Sequence, residues 1–137
     1  MLDESPISAP EARLRLAALW YFCGGLLLLA VAVASLLPVP DIGVGDKLSH
    51  VFTYFALAAW FGILAANTAR LGLAVAALFA YGAGLELLQG MTGYRFAEWG
   101  DLLANGAGIL LGAPLHYSPL RRLLLLVDNR LARSLAR

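Results

Sequence analysis

The sequence predicts an all-α protein: a membrane-embedded four-helix bundle with a basic amphipathic, interfacial helix at its C-terminal end. Two observations support this fold class. Hydrophobic residues make up 61% of the 137 residues and charged residues only 14%, and the mean hydropathy of +0.76 is far above that of an ordinary soluble domain. The apolar residues also form four runs of about 20, the length that crosses a hydrocarbon core of about 30 Å. We therefore expect four spans, short connections and no separate soluble domain.

The first predicted span covers residues 16–37 and follows a polar N-terminal tail, residues 1–15. The span carries no charge and stops before Pro38 and Pro40, because proline interrupts a helix. A cleaved secretory signal is the alternative, since residues 32–34 have the small-residue pattern of a cleavage site. The apolar run is longer than the roughly 7 to 15 residues of such signals, which favours a retained span.

The other three spans are predicted at 47–66, 71–90 and 101–117. The loop 67–70 is so short that it makes the second and third spans antiparallel neighbours. The segment 91–100 contains tyrosine, phenylalanine and tryptophan, which favour the headgroup level of a bilayer. Residues 16–117 together form the predicted membrane domain.

Residues 118–137 are predicted to form an amphipathic helix, because apolar side chains recur at helical spacing and arginines occupy the rest of the surface. The apolar stripe comprises Leu120, Leu123, Leu124, Val127, Leu131 and Leu135, and the basic residues are Arg121, Arg122, Arg130, Arg133 and Arg137. This pattern is typical of a helix that lies on an anionic leaflet. A simple flank that stops membrane transfer is compatible with it.

The basic residues also predict the orientation of the chain. Eight arginines lie in the two terminal segments and the 67–70 loop, against Lys47 and Arg95 on the opposite side. Cytoplasmic segments carry the excess of lysine and arginine. Both termini are therefore predicted in the cytoplasm, and the segments around Lys47 and Arg95 outside.

Polar residues cluster at the outer end of three predicted spans, whereas the first span has none and is expected to be peripheral. Ionisable side chains are costly within a membrane, so those present mark functional or packing-critical positions. Their three- and four-residue spacing places them on one face of each helix. The set comprises Asp46, Lys47, His50 and Tyr54, then Glu86 and Gln89, then Arg95, and finally Asp101 and Asn105. Gly108 and Gly112 continue the last stripe and predict a close approach of two helices.

Four of these residues are candidate catalytic groups. Glu86 or His50 would act as a general base, with Asp46 or Asp101 orienting the histidine. No metal is predicted, because one histidine and scattered carboxylates form a weak ligand signature, and no cofactor is predicted either. The sequence leaves open whether the protein is an enzyme.

The other five are candidate binding residues. Lys47 and Arg95 would hold an anionic group, the arginine through two hydrogen bonds if that group is a phosphate. Tyr54, Gln89 and Asn105 would orient it. The alternative is that the polar residues form hydrogen bonds between helices and bind nothing, which is the favoured interpretation of Gln89 and Asn105 taken singly.

A set of motifs between residues 41 and 117 points to a family. The motifs are Asp46-Lys47-Leu48-Ser49-His50 followed by Tyr54, then Glu86-Leu87-Leu88-Gln89, then Arg95, and Asp101 with Asn105, Gly108 and Gly112. In these residues the chain resembles the VanZ-like family of small bacterial membrane proteins, named for a protein associated with teicoplanin resistance. The resemblance implies a multi-pass protein of the bacterial plasma (inner) membrane that acts in the cell envelope, but it does not imply a particular reaction.

Three classes of function follow from these residues and the resemblance. In the first, the outward-facing polar site binds or modifies a lipid headgroup, a lipid-linked envelope precursor or a lipophilic glycopeptide antibiotic. In the second, the chain is a non-catalytic assembly subunit of a membrane complex. In the third, it is an oligomeric transporter or proton relay, since four spans without broken helices make a poor transporter alone. Membrane lipids, a second copy or another membrane protein are the expected partners, and nucleic acid is not.

Overall fold

A computed structural model describes residues 13–38, 44–94 and 96–137, and this part of the chain is all-helical. The all-α prediction is therefore confirmed. The α-helices are α1 (Ala17–Leu36), α2 (Val44–Leu64), α3 (Thr68–Met91), α4 (Trp99–Gly112) and α5 (Pro119–Leu135), and a 3₁₀ helix (Ala113–Tyr117) connects α4 to α5. Arg95 and most of the predicted N-terminal tail lie outside the described residues.

Within the described ranges, three helices are long and apolar enough to cross a membrane: α1 with 20 residues, the 20 residues Gly45–Leu64 of α2, and α3 with 24 residues. They expose large apolar side chains, among them Phe52 (68%) and Leu73 (71%). Extensive apolar surface of this kind is unusual in a protein surrounded by water, so these helices support a membrane protein. α4 has 14 residues, fewer than the roughly 20 of a complete span, so its length alone does not establish a fourth crossing.

α2 and α4 pack backbone to backbone because glycine occupies the contact. A Cβ atom at Gly108 would clash with the Val51 carbonyl and lie 2.8 Å from the Phe55 nitrogen. A Cβ atom at Gly112 would clash with the Phe55 carbonyl and lie 3.0 Å from the Ala58 Cβ. The close approach expected from the small-residue pair therefore occurs, and its partner is α2. The core beside it comprises Tyr54, Leu57, Ala58, Leu78 and Ile109.

α4 and the 3₁₀ helix follow α2 along most of its length and run parallel to it. At one end, a Cβ atom at Gly100 would lie 2.9 Å from the Lys47 Cε. At the other end, the His116 Nδ1 lies 2.9 Å from the Gly62 carbonyl oxygen. The 3₁₀ helix contains Pro114 in its first turn, and proline has no N–H to continue the α-helical bonding pattern.

α1 packs on the outside of the α2 and α3 pair, as expected for a peripheral helix. Its one buried residue is Gly24, where a Cβ atom would lie 2.8 Å from the Phe61 ring. Side chains of α3 bind α1 backbone carbonyls: Tyr81 donates to Leu28 at 2.5 Å. These bonds hold α1 in register with α3.

α5 is anchored to the start of α1 by Asp128, a side chain with 0% exposure. Its Oδ2 accepts a hydrogen bond from the Arg15 amide at 2.6 Å, and its Oδ1 accepts from the Leu16 amide at 3.0 Å and the Trp20 indole at 2.9 Å. Burial raises the pKa of the Asp128 carboxyl, but these three donors and the Arg15 charge outweigh it and hold the pKa below its ordinary value. The carboxylate thus satisfies amides that the first turn of a helix leaves unpaired.

Most of the apolar stripe predicted on α5 is exposed, although Leu124 and Leu131 are half-buried. Leu120 (47%), Leu123 (56%) and Leu135 (70%) are exposed, while Asp128 on the adjoining face is buried. The Asp128 side of α5 therefore faces the bundle, and most of its apolar stripe faces outward with arginines next to it.

Candidate functional site

The N-terminal ends of α2 and α4 and the C-terminal end of α3 meet at one end of the bundle, because the three helices alternate in direction. This end holds a polar cluster of seven residues, namely Asp46, Lys47, His50, Glu86, Glu98, Asp101 and Asn105. All but Glu98 are predicted site residues. The structure shows how they are paired.

Lys47 is the bridge between α2 and α4 on the outer side of the polar cluster. Its Nζ lies 2.8 Å from the Glu98 Oε2 and 3.3 Å from the Asp101 Oδ1. The Lys47 and Glu98 side chains are 46% and 44% exposed, whereas Asp101 is 5% exposed. The Lys47 ammonium, which the sequence analysis assigned to an anionic ligand, is therefore already paired with two carboxylates of the protein.

His50 lies deeper in the cluster and has different partners on its two ring nitrogens. The Nδ1 is 2.9 Å from the Asn105 Oδ1, and an amide oxygen only accepts hydrogen bonds. The Nδ1 therefore carries the proton, and the Nε2 faces Asp46 Oδ2 and Asp101 Oδ2, each at 4.0 Å. The expectation that an aspartate orients the histidine changes accordingly, since Asn105 makes the short bond.

Glu86 belongs to the polar cluster and also connects the end of α3 to the start of α4. It is 7% exposed, and its Oε1 accepts a hydrogen bond from the Glu98 backbone amide at 2.5 Å. Glu98 is the N-cap residue of α4, so this bond fixes the start of α4 against the end of α3. A catalytic assignment for Glu86 has to account for this role.

Gln89 and Tyr54 lie on the opposite side of His50, toward α1. The Gln89 Nε2 donates to the Ser35 carbonyl at 2.8 Å, which is the interhelical hydrogen bond favoured from the sequence. Tyr54 is 3% exposed, and its hydroxyl fits because Gly82 lacks a Cβ, which would lie 3.0 Å away.

A cavity of about 270 Å³ opens between α1, α2 and α3 next to His50. We call it the outer pocket. Its α1 wall is small and mostly apolar, with Val31, Ala34 and Ser35, whereas the α2 and α3 wall is polar. The polar wall comprises Asp46, Ser49, His50, Thr53, Tyr54 and Gln89. Lys47, Glu98 and Asp101 do not line it. The site therefore has two parts: a pocket set, which lines the cavity, and an ion-pair set, formed by Lys47, Glu98 and Asp101. Asp46 and His50 line the pocket and also face Asp101 or each other at 4.0 Å.

In the described part of the chain, three side chains bring metal-ligating atoms close together. One ligand atom each of Asp46, His50 and Asp101 lie within 4.8 Å of one another. Imidazole nitrogen with carboxylate oxygen is a ligand set that divalent transition metals accept.

Sequence reasoning missed Glu98 and three hydroxyl residues of the pocket: Ser35 on α1, and Ser49 and Thr53 on α2. Glu98 precedes Asp101 by three residues, which places both on one side of the first turn of α4, so its spacing carried a signal. Ser49 and Thr53 carried none, because they become pocket residues only through the position of α1. Arg95, the remaining predicted binding residue, lies outside the described residues.

Comparison with known proteins identifies no matching family model, no matching curated protein and no matching solved structure. The resemblance to the VanZ-like family therefore rests on the motifs of this chain alone.

Proposed function

We propose that this chain is a VanZ-like multi-pass protein of the bacterial plasma membrane whose outer pocket binds or modifies the headgroup of an amphiphile. A membrane lipid, a lipid-linked envelope precursor and a lipophilic glycopeptide are the candidate ligands. The outer pocket is the observation that supports this function best, because one cavity joins an apolar wall to a polar wall at the end of apolar helices.

The chemistry of the outer pocket favours a headgroup rich in hydroxyl or amide groups. Ser49, Thr53, Tyr54 and Gln89 line it together with Asp46 and His50. Hydroxyl and amide side chains both donate and accept hydrogen bonds, which suits sugars and peptides. The volume of about 270 Å³ is near the lower end of small-molecule pockets, which span roughly 300 to 1,000 Å³, so it fits a headgroup with the lipid chains outside.

Four crossings with both termini in the cytoplasm form part of this proposal. A chain that crosses with α2 also crosses with α4 and the 3₁₀ helix, since these follow α2. Rises of about 1.5 Å per α-helical residue and 2.0 Å per 3₁₀ residue give a combined length of about 31 Å, close to the bilayer core. Arg13, Arg70 and Arg121 line a separate cavity of about 320 Å³ beside the start of α1 and the α2–α3 loop, and clustered arginines favour the cytoplasmic face.

Reporter fusions test the topology. Alkaline phosphatase fused after Gly93 is expected to be active, because this segment is outside in the proposed orientation, and a fusion after Asn67 is expected to be inactive. The reverse pattern would place the polar cluster in the cytoplasm and exclude an outer-leaflet ligand.

Photo-crosslinking in cells tests the ligand. A photoreactive residue at Thr53, which lines the outer pocket, is expected to capture a defined subset of envelope amphiphiles, as identified by mass spectrometry. The matched control is the same residue at Leu73, which is exposed on α3 and should capture bulk lipids. Equal adduct composition at both positions would contradict a selective pocket.

An assembly subunit is the second candidate function, and one observation favours it. Met91 (81%), Phe96 (85%) and Trp99 (83%) expose apolar surface next to the polar cluster. Such a patch fits a protein partner as well as a headgroup layer. Co-purification of one defined membrane protein that is lost with Trp99→Ser, together with bulk-lipid adducts at Thr53, would favour this function. The transporter or proton-relay function stays a prediction.

A further inference from the structure

We propose that Asp46, His50 and Asp101 bind a divalent transition-metal cation such as Zn²⁺. The three residues come from two helices, and their convergence depends on the close packing of α2 and α4. This departs from the sequence expectation of no metal, which rested on the scatter of the carboxylates along the chain. It goes beyond the proposed function, since a cation can bind whether or not an amphiphile does.

The distances suit a metal of this class. The His50 Nε2 lies 4.0 Å from one oxygen of Asp46 and 4.0 Å from one oxygen of Asp101, and all three ligand atoms lie within 4.8 Å of one another. The centre of such a triangle is at most about 2.5 Å from each atom, against bonds of about 2.0 to 2.2 Å to zinc. Side-chain shifts of a few tenths of an ångström would complete the coordination.

His50 is held in the tautomer that binds a metal. Because its Nδ1 donates to the Asn105 oxygen, the Nε2 of the neutral ring presents a lone pair, and that lone pair faces two carboxylates. A lone pair and two negative groups repel one another unless a cation lies between them. Metal-binding histidines characteristically donate their other ring N–H to an oxygen of the protein, which is the position of Asn105.

Asp101 supplies an independent indication of a ligand. Its side chain is 95% buried, since its exposure is 5%, and its Oδ1 interacts with Lys47. Its Oδ2 accepts no hydrogen bond from any residue in the described ranges and points toward the His50 Nε2 at 4.0 Å. On a side chain this buried, a carboxylate oxygen without a donor from the described residues is a position at which a bound cation is favoured.

The charges in the sequence also favour a cation. Apart from Arg70 at the opposite end, residues 46 to 101 contain four carboxylates, Asp46, Glu86, Glu98 and Asp101, and two fixed cations, Lys47 and Arg95. The formal sum of this segment of the sequence is −2 with neutral histidine, a sign of charge that favours a cation over an anion.

The outer pocket gives the cation a route in and an open coordination position. Asp46 and His50 both line it, so water or a ligand group could occupy a fourth position from that side. Three protein ligands with one open position is the arrangement of catalytic zinc, whereas structural zinc has four protein ligands.

The competing explanation is a protonated His50 that forms ion pairs with the two aspartates. Purified full-length protein in nanodiscs of zwitterionic lipid, stripped with chelator, separates the two. Titration with Co²⁺ is expected to give one bound ion per chain, with the intense visible absorption of a four- or five-coordinate site, displaced by Zn²⁺. If the three residues form ion pairs and have no affinity for a metal, no such spectrum appears at a pH high enough to deprotonate histidine.

Variants assign the ligands. His50→Ala and Asp101→Asn are expected to weaken Co²⁺ binding more than about 100-fold, and Asn105→Ala, which removes only the orienting bond, about 10-fold or more. Glu98→Gln is the matched control, because it removes a carboxylate of the same cluster that binds Lys47, and it should bind Co²⁺ normally. If His50→Ala or Asp101→Asn fails to fold, Asp46→Asn is the variant that tests the ligand set. The Asp46 side chain is 20% exposed, so this substitution is better tolerated. Absence of the Co²⁺ spectrum in the unmodified protein, or equal binding by Asp46→Asn and Glu98→Gln, would overturn the proposal.

Discussion

Asp128 and Asp101 are both almost fully buried, at 0% and 3% exposure, but their surroundings differ. Both oxygens of Asp128 are used, since three N–H groups of the α1 terminus donate to them. Asp101 has one oxygen on the Lys47 ammonium and the other directed at a histidine 4.0 Å away. The protein alone therefore supplies hydrogen-bond donors to both oxygens of Asp128, whereas it supplies a donor to only one oxygen of Asp101.

The comparison shows that burial alone does not mark a functional carboxylate. What separates the two sites is the number of donors that the fold supplies to each oxygen. A carboxylate whose two oxygens both accept hydrogen bonds connects one helix to another. A carboxylate that has one oxygen without a donor, next to a nitrogen lone pair, favours the binding of a cation. The same substitution at the two positions should therefore have different consequences.

Asp128→Asn is expected to have the largest effect on stability. Its NH₂ group would face N–H donors, so at least one of the three hydrogen bonds is lost and one donor is left unpaired. We expect the free energy of unfolding to fall by about 2 to 3 kcal/mol, as measured by denaturant unfolding in detergent. Ser134→Ala on the exposed side of α5 is the control, with a change within about 0.5 kcal/mol. Equal stability of the two variants would contradict the anchoring role.

The contribution of Asp128 should also depend on pH. Its folded pKa lies below the ordinary value, so the stabilisation is complete above the ordinary pKa of an aspartate, near 3.9, and is lost as the pH falls through the lowered folded pKa. Unfolding curves of the unmodified protein and of Asp128→Asn should therefore converge on acidification. A constant difference between the two proteins down to the lowest pH would show that the carboxylate charge is not what matters.

Asp101→Asn should leave stability in metal-free buffer within about 1 kcal/mol of the unmodified protein, because the amide can donate to the His50 Nε2 and offset the weakened Lys47 contact. The same variant should show no thermal stabilisation by Zn²⁺, whereas the unmodified protein should, since a ligand that binds only the folded state raises its stability. Thermal unfolding with and without Zn²⁺ measures both. A large loss in metal-free buffer would make Asp101 resemble Asp128 and remove the distinction.

Glu98→Gln should have the smallest effect. The Lys47–Glu98 pair is roughly half exposed, and ion pairs of this kind contribute little net stability. We expect Tm to change by less than about 2 °C, with Zn²⁺ stabilisation unchanged. Loss of that stabilisation would move Glu98 from the ion-pair set into the cation site.

Much of the fold could be predicted from the sequence, because the signals are local. Long apolar runs predicted α1, α2 and α3, and the spacing of Gly108 and Gly112 predicted a close helix pair. The fourth predicted span ends at residue 117, where the 3₁₀ helix also ends, but the α-helix itself stops at Gly112, two residues before Pro114. The periodicity of an apolar stripe does not show this change of helix type.

The candidate site could be predicted in membership but not in arrangement. Helical spacing grouped His50 with Asp46 and Asp101 with Asn105 on their own helices. Which residue of one helix meets which of the other depends on the register of α2 against α4, and this register is fixed by the contacts of Gly108 and Gly112 with the α2 backbone. Asp128 was missed for a related reason, since its partners are 108 to 113 residues away and one acid on a basic helix leaves no pattern.

The bond between Asp128 and the start of α1 orders events during biosynthesis. The Arg15 amide is made 113 residues before the carboxylate that it binds. At about 5 to 20 residues per second, translation leaves the first helix uncapped for roughly 6 to 23 s. During that interval water or headgroups must satisfy its terminal amides, and these contacts form only after α5 has been synthesised as far as Asp128. Premature termination anywhere before residue 128 would therefore leave a defect at the opposite end of the chain, in the first helix.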